Sequence, residues 1–305
     1  MFNNEIKQSV ILGRSNIAAH ILISMRPKQW IKNLFVFPPL VFSKSLFIFP
    51  LNIKALMTFV VFCVVSGCVY IINDVADREE DKKHPVKSLR PVASGILSPS
   101  IALGTVAILL SLSLTGGYMI GPELLAILVL YFLMNLLYST FLKHVVLLDI
   151  FVIALGFVLR VMGGGAVIHV KLSSWLILCT LLIALFLALC KRRHELVLLE
   201  DNASNHRKIL GEYTPYFLDQ LIAVVTASTL MTYALYTMSE DVYRNFGNDN
   251  IKYTIPFVLY GIFRYLYLVH QKKKGGSPTE IMMRDIPMLI NIGLWAFVVV
   301  VILYR

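Results

Sequence analysis

The chain has 305 residues, of which 57% are hydrophobic and 15% charged, and its formal net charge is +10. That balance excludes a water-soluble globular enzyme, and no stretch is long and polar enough to fold as a separate basic domain on a nucleic acid. It is the composition of a chain embedded in a lipid bilayer.

With roughly 20 apolar residues needed per span, the chain divides into about nine segments, at residues 28–47, 51–74, 98–117, 122–141, 145–168, 172–190, 216–238, 251–270 and 286–304. Residues 1–27 are too polar for a cleavable signal peptide, so they read as a cytosolic N-terminal segment, with the first membrane segment as the targeting signal. Pro38 and Pro39 interrupt that first segment. The runs lack the period-two alternation of outer-membrane barrels. The expected fold class is all-α: a polytopic membrane bundle of one domain, residues 1–305.

Lys and Arg crowd the N-terminal segment, residues 78–90, Lys143, residues 191–208 and residues 272–284. The alternate loops and the C-terminus carry only Lys44, Lys54, Lys171, Arg244, Lys252 and Arg305. By the positive-inside rule the N-terminus and the first set of loops are cytosolic, and the C-terminus lies across the cell membrane. This bias, with attraction to anionic headgroups, accounts for the net charge without a nucleic-acid partner. Cys63, Cys68, Cys179 and Cys190 sit in apolar runs without paired spacing and read as packing residues.

The most polar stretch is "YIINDVADREEDKKHPVKSLRPVASG", residues 70–95, at the end of the second segment. If the helix continues past Ile72, Asn73, Asp74, Asp77 and Asp81 share one face at spacings of three and four. Like charges destabilise a helix end, and the C-terminal dipole adds to this. A bland reading leaves Arg78, Lys82 and Lys83 to neutralise them as solvated ion pairs. A sharper one is a Mg²⁺ site, since Mg²⁺ takes one or two carboxylates and keeps waters and substrate phosphates beside them. Lys87 and Arg90 would then neutralise the remaining charge of a bound diphosphate.

Further polar residues gather on the same side. Asn135, Tyr138 and Lys143 lie at the end of the fourth segment, and Asp149 about one turn into the fifth. Ionisable groups at membrane depth are functional candidates by default. Arg160 lies deeper on nearly the same face as Asp149, as a site residue or as the partner of a buried acid or carbonyl. Arg26, Lys28, Trp30 and Lys32 read as an interfacial anchor, with Arg26 and Lys32 also able to lean over a cytosolic cavity. Gly163, Gly164 and Gly165 read as close packing or a helix break. His169, His194 and His206 have no metal-ligand spacing.

"NDVADREED" resembles the NDxxDxxxD motif of the UbiA superfamily of intramembrane prenyltransferases. That resemblance implies a bundle of nine helices around a central cavity open to the cytosol, and catalysis with Mg²⁺ on Asp74, Asp77 and Asp81. The family's second aspartate-rich motif follows its sixth helix, where this chain reads "LALCKRRHELVLLED", with Lys191, Arg192, Arg193 and Glu195 in place of a tight aspartate pair. Together with "RPKQWIKNLFVFPPLVF" and "YSTFLKHVVLLDIFVIALGFVLRVMGGG", the chain is similar to the decaprenyl-phosphate phosphoribosyltransferase family from about residue 24 to about residue 240.

That branch implies transfer of 5-phosphoribose from phosphoribosyl diphosphate (PRPP) to a polyprenyl phosphate, giving a precursor of an arabinose donor for the cell envelope. Asp74, Asp77 and Asp149 are then the expected catalytic residues. Asn73, Lys87, Arg90, Asn135, Tyr138, Lys143, Lys191, Arg192, Arg193 and Glu195 are the expected substrate-binding residues. The basic trio would hold either the 5-phosphate or the lipid phosphate; its alternative is a positive-inside anchor. Isoprenoid transfer from a prenyl diphosphate, and a non-enzymatic transporter or scaffold, are the competing functions; the oligomeric state is left open.

Overall fold

The computed structural model describes residues 16–199, 208–271, 281 and 284–305. His206 and Lys272, Lys273 and Lys274, weighed above, lie outside the described residues. Among the described residues every regular element is helical.

Seven helices are long and apolar enough to cross a membrane. They are α3 (Phe49–Ala76), α5 (Pro99–Ile120), α6 (Pro122–Thr140), α7 (Leu148–Val167), α8 (Ser174–Leu199), α9 (Pro215–Thr237) and α12 (Ile286–Tyr304). Between them lie α4 (Arg78–Lys83), α10 (Glu240–Phe246) and α11 (Ile255–His270). At 16 residues, α11 is about 24 Å long, and the 3-10 turn Asn250–Thr254 completes that segment. Proline in the first turn starts α3, α5, α6, α9, α11 and α12, where its missing N–H costs no bond. Ser98, Thr214 and Asp285 cap α5, α9 and α12 by accepting from Ile101, Phe217 and Met288 N–H.

The first expected segment is broken rather than a single helix. It comprises α1 (Ile17–Ser24), a 3-10 stretch (Pro27–Val36) and α2 (Pro38–Phe42). Three prolines, Pro27, Pro38 and Pro39, prevent a continuous helix. At the first break Arg26 adopts φ 53°, a left-handed conformation uncommon outside glycine.

The bundle is arranged around α7. Of its most apolar stretch 72% is buried inside the protein, against 17% for α6 and for α12, which therefore face lipid. One side of α7 packs with α8, α9 and α11 through Ile150, Phe157, Phe186, Leu218 and Tyr265. The other packs with the 3-10 stretch, α3 and α6 through Val36, Phe62, Leu124 and Leu159. Helices in lipid associate by close packing, which small residues permit. A Cβ on Gly164 would stand 2.0 Å from the Val36 carbonyl oxygen. The glycine run is thus a packing device, and it seats the 3-10 stretch directly on α7.

Candidate active site

α3 remains helical to Ala76, bends at Asp77 (φ −89°, ψ 10°), and continues as α4. Helical hydrogen bonds cross the bend, from Asp77 N–H to Asn73 O at 2.9 Å and from Asp81 N–H to Asp77 O at 2.8 Å. The bend divides the acidic face. Asp74 and Asp81 are turned inward, each 2% exposed, while the Asp77 side chain is 36% exposed.

Two arginines hold the buried pair. Arg90 Nη1 donates to Asp81 at 2.6 Å and to Asp74 at 3.2 Å. Arg26 Nη2 donates to Asp74 at 2.5 Å while its guanidinium stacks over the Tyr70 ring at 4.8 Å. Lys87 Nζ stands 4.0 Å from Asp81, and Lys143 Nζ donates to Asp77 at 3.3 Å. The bland solvated pairing applies instead to Glu79. Lys82 donates to it at 2.7 Å and holds its carboxyl below the usual range. Arg26 reached the motif by the less expected of its two readings, because the left-handed turn before Pro27 redirects the chain.

A second cluster lies where α6, α7 and α8 meet at the same end of the bundle. Asp149, fully buried in the first turn of α7, accepts from Arg192 Nε at 2.7 Å and from the Tyr213 hydroxyl at 2.9 Å. Burial pushes the Tyr213 phenol up to about 12, so it remains a donor throughout the neutral range. Arg192, 1% exposed, also donates to Glu195 at 2.5 Å and to the Tyr138 hydroxyl at 3.3 Å. Arg193 forms a two-point ion pair with Asp219 of α9, which also meets His270 of α11.

These placements revise three expectations. Asp149 has both oxygens bonded inside the protein and positions Arg192, rather than standing open to a substrate. Arg192 and Arg193 are committed to carboxylates and tie α8 to its neighbours. Of the basic trio only Lys191 is substantially open, its side chain 40% exposed and 3.6 Å from Glu195. Asn135 donates to the Tyr131 carbonyl oxygen of its own helix at 2.7 Å, an intrahelical bond.

Sequence reasoning gave Arg160 a buried acid or carbonyl; it has a carbonyl, a phenol and an amide. It donates to Asn33 Oδ1 at 2.6 Å, to Gly156 O at 2.6 Å and to the Tyr131 hydroxyl at 2.8 Å. Asn33 carried no sequence signal beyond being a polar residue in an interrupted segment.

Residues 36–284 match the UbiA prenyltransferase family. The chain belongs to the UbiA prenyltransferase family. It is 32% identical to the decaprenyl-phosphate phosphoribosyltransferase of Corynebacterium glutamicum over 95% of this chain and 88% of that one. It is 33% identical to that of Mycobacterium tuberculosis over 89% of this chain and 90% of that one. The fold is similar to a UbiA homologue from Archaeoglobus fulgidus bound to DMAPP and Mg²⁺. The TM-score is 0.69 at 18% identity, covering 92% of this chain and 98% of that one. A digeranylgeranylglyceryl phosphate synthase gives a TM-score of 0.63 at 20% identity, covering 92% of this chain and 96% of that one.

Do the residues of this UbiA-family chain fit a divalent metal? Among the described residues no three His, Cys, Asp or Glu side chains stand together as a ready-made cage. Mg²⁺ does not require one, since it binds through one or two carboxylates plus water and phosphate. Asn73 Oδ1 is buried without a hydrogen-bond partner beside the acidic pair. Such an orphaned oxygen costs free energy unless a cation or donor completes it. With Asp77 open on the next turn, the oxygen donors suit Mg²⁺ arriving with a diphosphate.

Proposed function

We propose that this chain transfers 5-phosphoribose from PRPP to a polyprenyl phosphate of decaprenyl type, releasing diphosphate. The observation that carries this reading is the basic second motif, Lys191 to Glu195, in a chain about a third identical to decaprenyl-phosphate phosphoribosyltransferases. A prenyl diphosphate donor is charged at one end only. PRPP adds a 5-phosphate, and the acceptor brings another phosphate, so a site rich in uncommitted cations suits them.

In this reading Asn73, Asp74, Asp77 and Asp81 hold Mg²⁺ and the diphosphate, and the metal supplies neutralisation of charge on the leaving group. Arg26 and Arg90, now paired with Asp74 and Asp81, turn their remaining N–H groups to phosphate oxygens as the diphosphate enters. Lys87 and Lys143 lie at the rim of the same cluster. Arg192, fixed by Asp149, Glu195 and Tyr138, orients the end of α8 and so the open side chain of Lys191.

Chemically, the bond from ribose C1 to the diphosphate oxygen breaks and a lipid-phosphate oxygen bonds to C1. A phosphate monoester is already anionic at neutral pH, so no general base has to remove a proton. Rate enhancement then comes from positioning and from stabilising the departing charge. The motif-bearing end faces the cytosol by charge bias, where a soluble sugar diphosphate is available. The lipid-linked product would feed synthesis of an arabinose donor for the cell envelope. The test is a donor choice: purified protein given a polyprenyl phosphate should release diphosphate from PRPP and not from a prenyl diphosphate with an aromatic acceptor. The reverse preference would assign it to isoprenoid transfer.

A further inference from the structure

Near the site, most cations have a carboxylate. Arg26 and Arg90 share Asp74 and Asp81, Arg192 has Asp149 and Glu195, Lys191 faces Glu195, and Lys143 has Asp77. Lys32 and Arg160 do not. Arg160 is 5% exposed, and the groups that bind its guanidinium, Asn33, Gly156 and Tyr131, are all neutral. Lys32, on the 3-10 stretch one residue before Asn33, is half-buried and has no acidic partner among the described residues. Its ammonium lies close enough to Arg160, Arg26 and Lys191 to feel their charge.

Four cations therefore converge from three separate elements: the N-terminal turn and 3-10 stretch, α7 and α8. Two of them are uncompensated inside a membrane protein. Burying unpaired charge is strongly unfavourable, and gathering like charges makes it worse. The fold nevertheless enforces the arrangement, since Gly164 seats the 3-10 stretch on α7 and Asn33 clamps Arg160 in place. A site built this way is complete only with an anion in it.

We propose that Lys32, with Lys191 beside it and Arg160 behind it, forms a phosphate-monoester subsite separate from the Asp74–Asp81 cluster that takes the diphosphate. The inference deepens the phosphoribosyl-transfer reading and rests on it for the identity of the phosphate. That phosphate belongs either to the sugar donor, at C5, or to the lipid acceptor. Lys32 also stands between Arg26 at the acidic motif and Lys191 at the second motif, the place for a group that joins the two reactants.

The experiment uses the full-length protein in detergent, with Lys32→Gln and Lys32→Arg variants, and follows thermal unfolding against ribose 5-phosphate and, separately, farnesyl phosphate. The expected result is that at least one probe stabilises the wild type. Lys32→Gln should then need at least about tenfold more of that probe, the effect of losing one charge-assisted contact, and Lys32→Arg should recover much of the loss. Without ligand, Lys32→Gln should be no less stable than wild type, because it removes an uncompensated cation. Dependence with ribose 5-phosphate assigns the subsite to the donor, and with farnesyl phosphate to the acceptor. Unchanged response to both probes, or no response of the wild type to either, overturns the subsite. If phosphate binding depends on Lys32 but PRPP and polyprenyl phosphate yield no product, the subsite stands and the phosphoribosyl-transfer reading fails.

Discussion

Arg26 and Asp74, 48 residues apart in sequence, meet at 2.5 Å and join the broken N-terminal segment to the acidic end of α3. Asp74 is almost wholly buried there, whereas Asp77, one turn away, is open. The two carboxylates should therefore respond differently to the same substitution. Asp77→Asn should reduce transfer by about 10²–10³-fold, the scale for losing one electrostatic contact to developing charge, and leave the thermal midpoint near wild type. Asp74→Asn should lose activity and also melt earlier, since two arginines lose their counter-charge. Activity assays beside thermal unfolding check both, and full turnover in Asp77→Asn would remove it from the metal-diphosphate site.

Arg192→Gln leaves Asp149 buried without its counter-ion. Breaking a buried pair from one side costs about 3–5 kcal/mol, so the variant should fold poorly rather than fold normally with a raised KM. Combining it with Asp149→Asn should recover part of the stability. A well-folded Arg192→Gln protein with a raised KM for one substrate would return Arg192 to direct phosphate contact.

Gly164→Ala places a methyl group against the Val36 carbonyl oxygen. Overpacking of this kind costs about 1–3 kcal/mol. The 3-10 stretch should shift off α7, moving Asn33 and Lys32 with it, so that activity falls more steeply than stability. Thermal unfolding together with kcat/KM measures the difference.

Charge bias sets the orientation. Cysteines introduced at residues 82–88 should react with a membrane-impermeant reagent only from the cytosolic side, and those at 244–250 only from the other; the native Cys63, Cys68 and Cys190 are buried and leave little background. Labelling of 82–88 from outside would reverse the topology.

What the sequence disclosed is what depends on local pattern. The spans follow from apolar run length, and the acidic cluster from spacings of three and four. Asp149 was visible as a carboxylate at membrane depth, but its role was not, because its partners Arg192 and Tyr213 lie 43 and 64 residues away. Arg192 and Arg193 read alike in sequence and are sent to different partners, since neighbours on a helix project about 100° apart. The contact of Asn33 with Arg160 depends on how closely α7 approaches the 3-10 stretch, a property of packing that no spacing encodes.

The most direct measurement is the mass of the lipid product. Purified protein incubated with Mg²⁺, PRPP and a polyprenyl phosphate should convert the lipid to a species heavier by one phosphoribosyl group, with one diphosphate released per lipid converted and none without the lipid. An unchanged lipid together with a prenylated small acceptor, when a prenyl diphosphate replaces PRPP, would contradict the account.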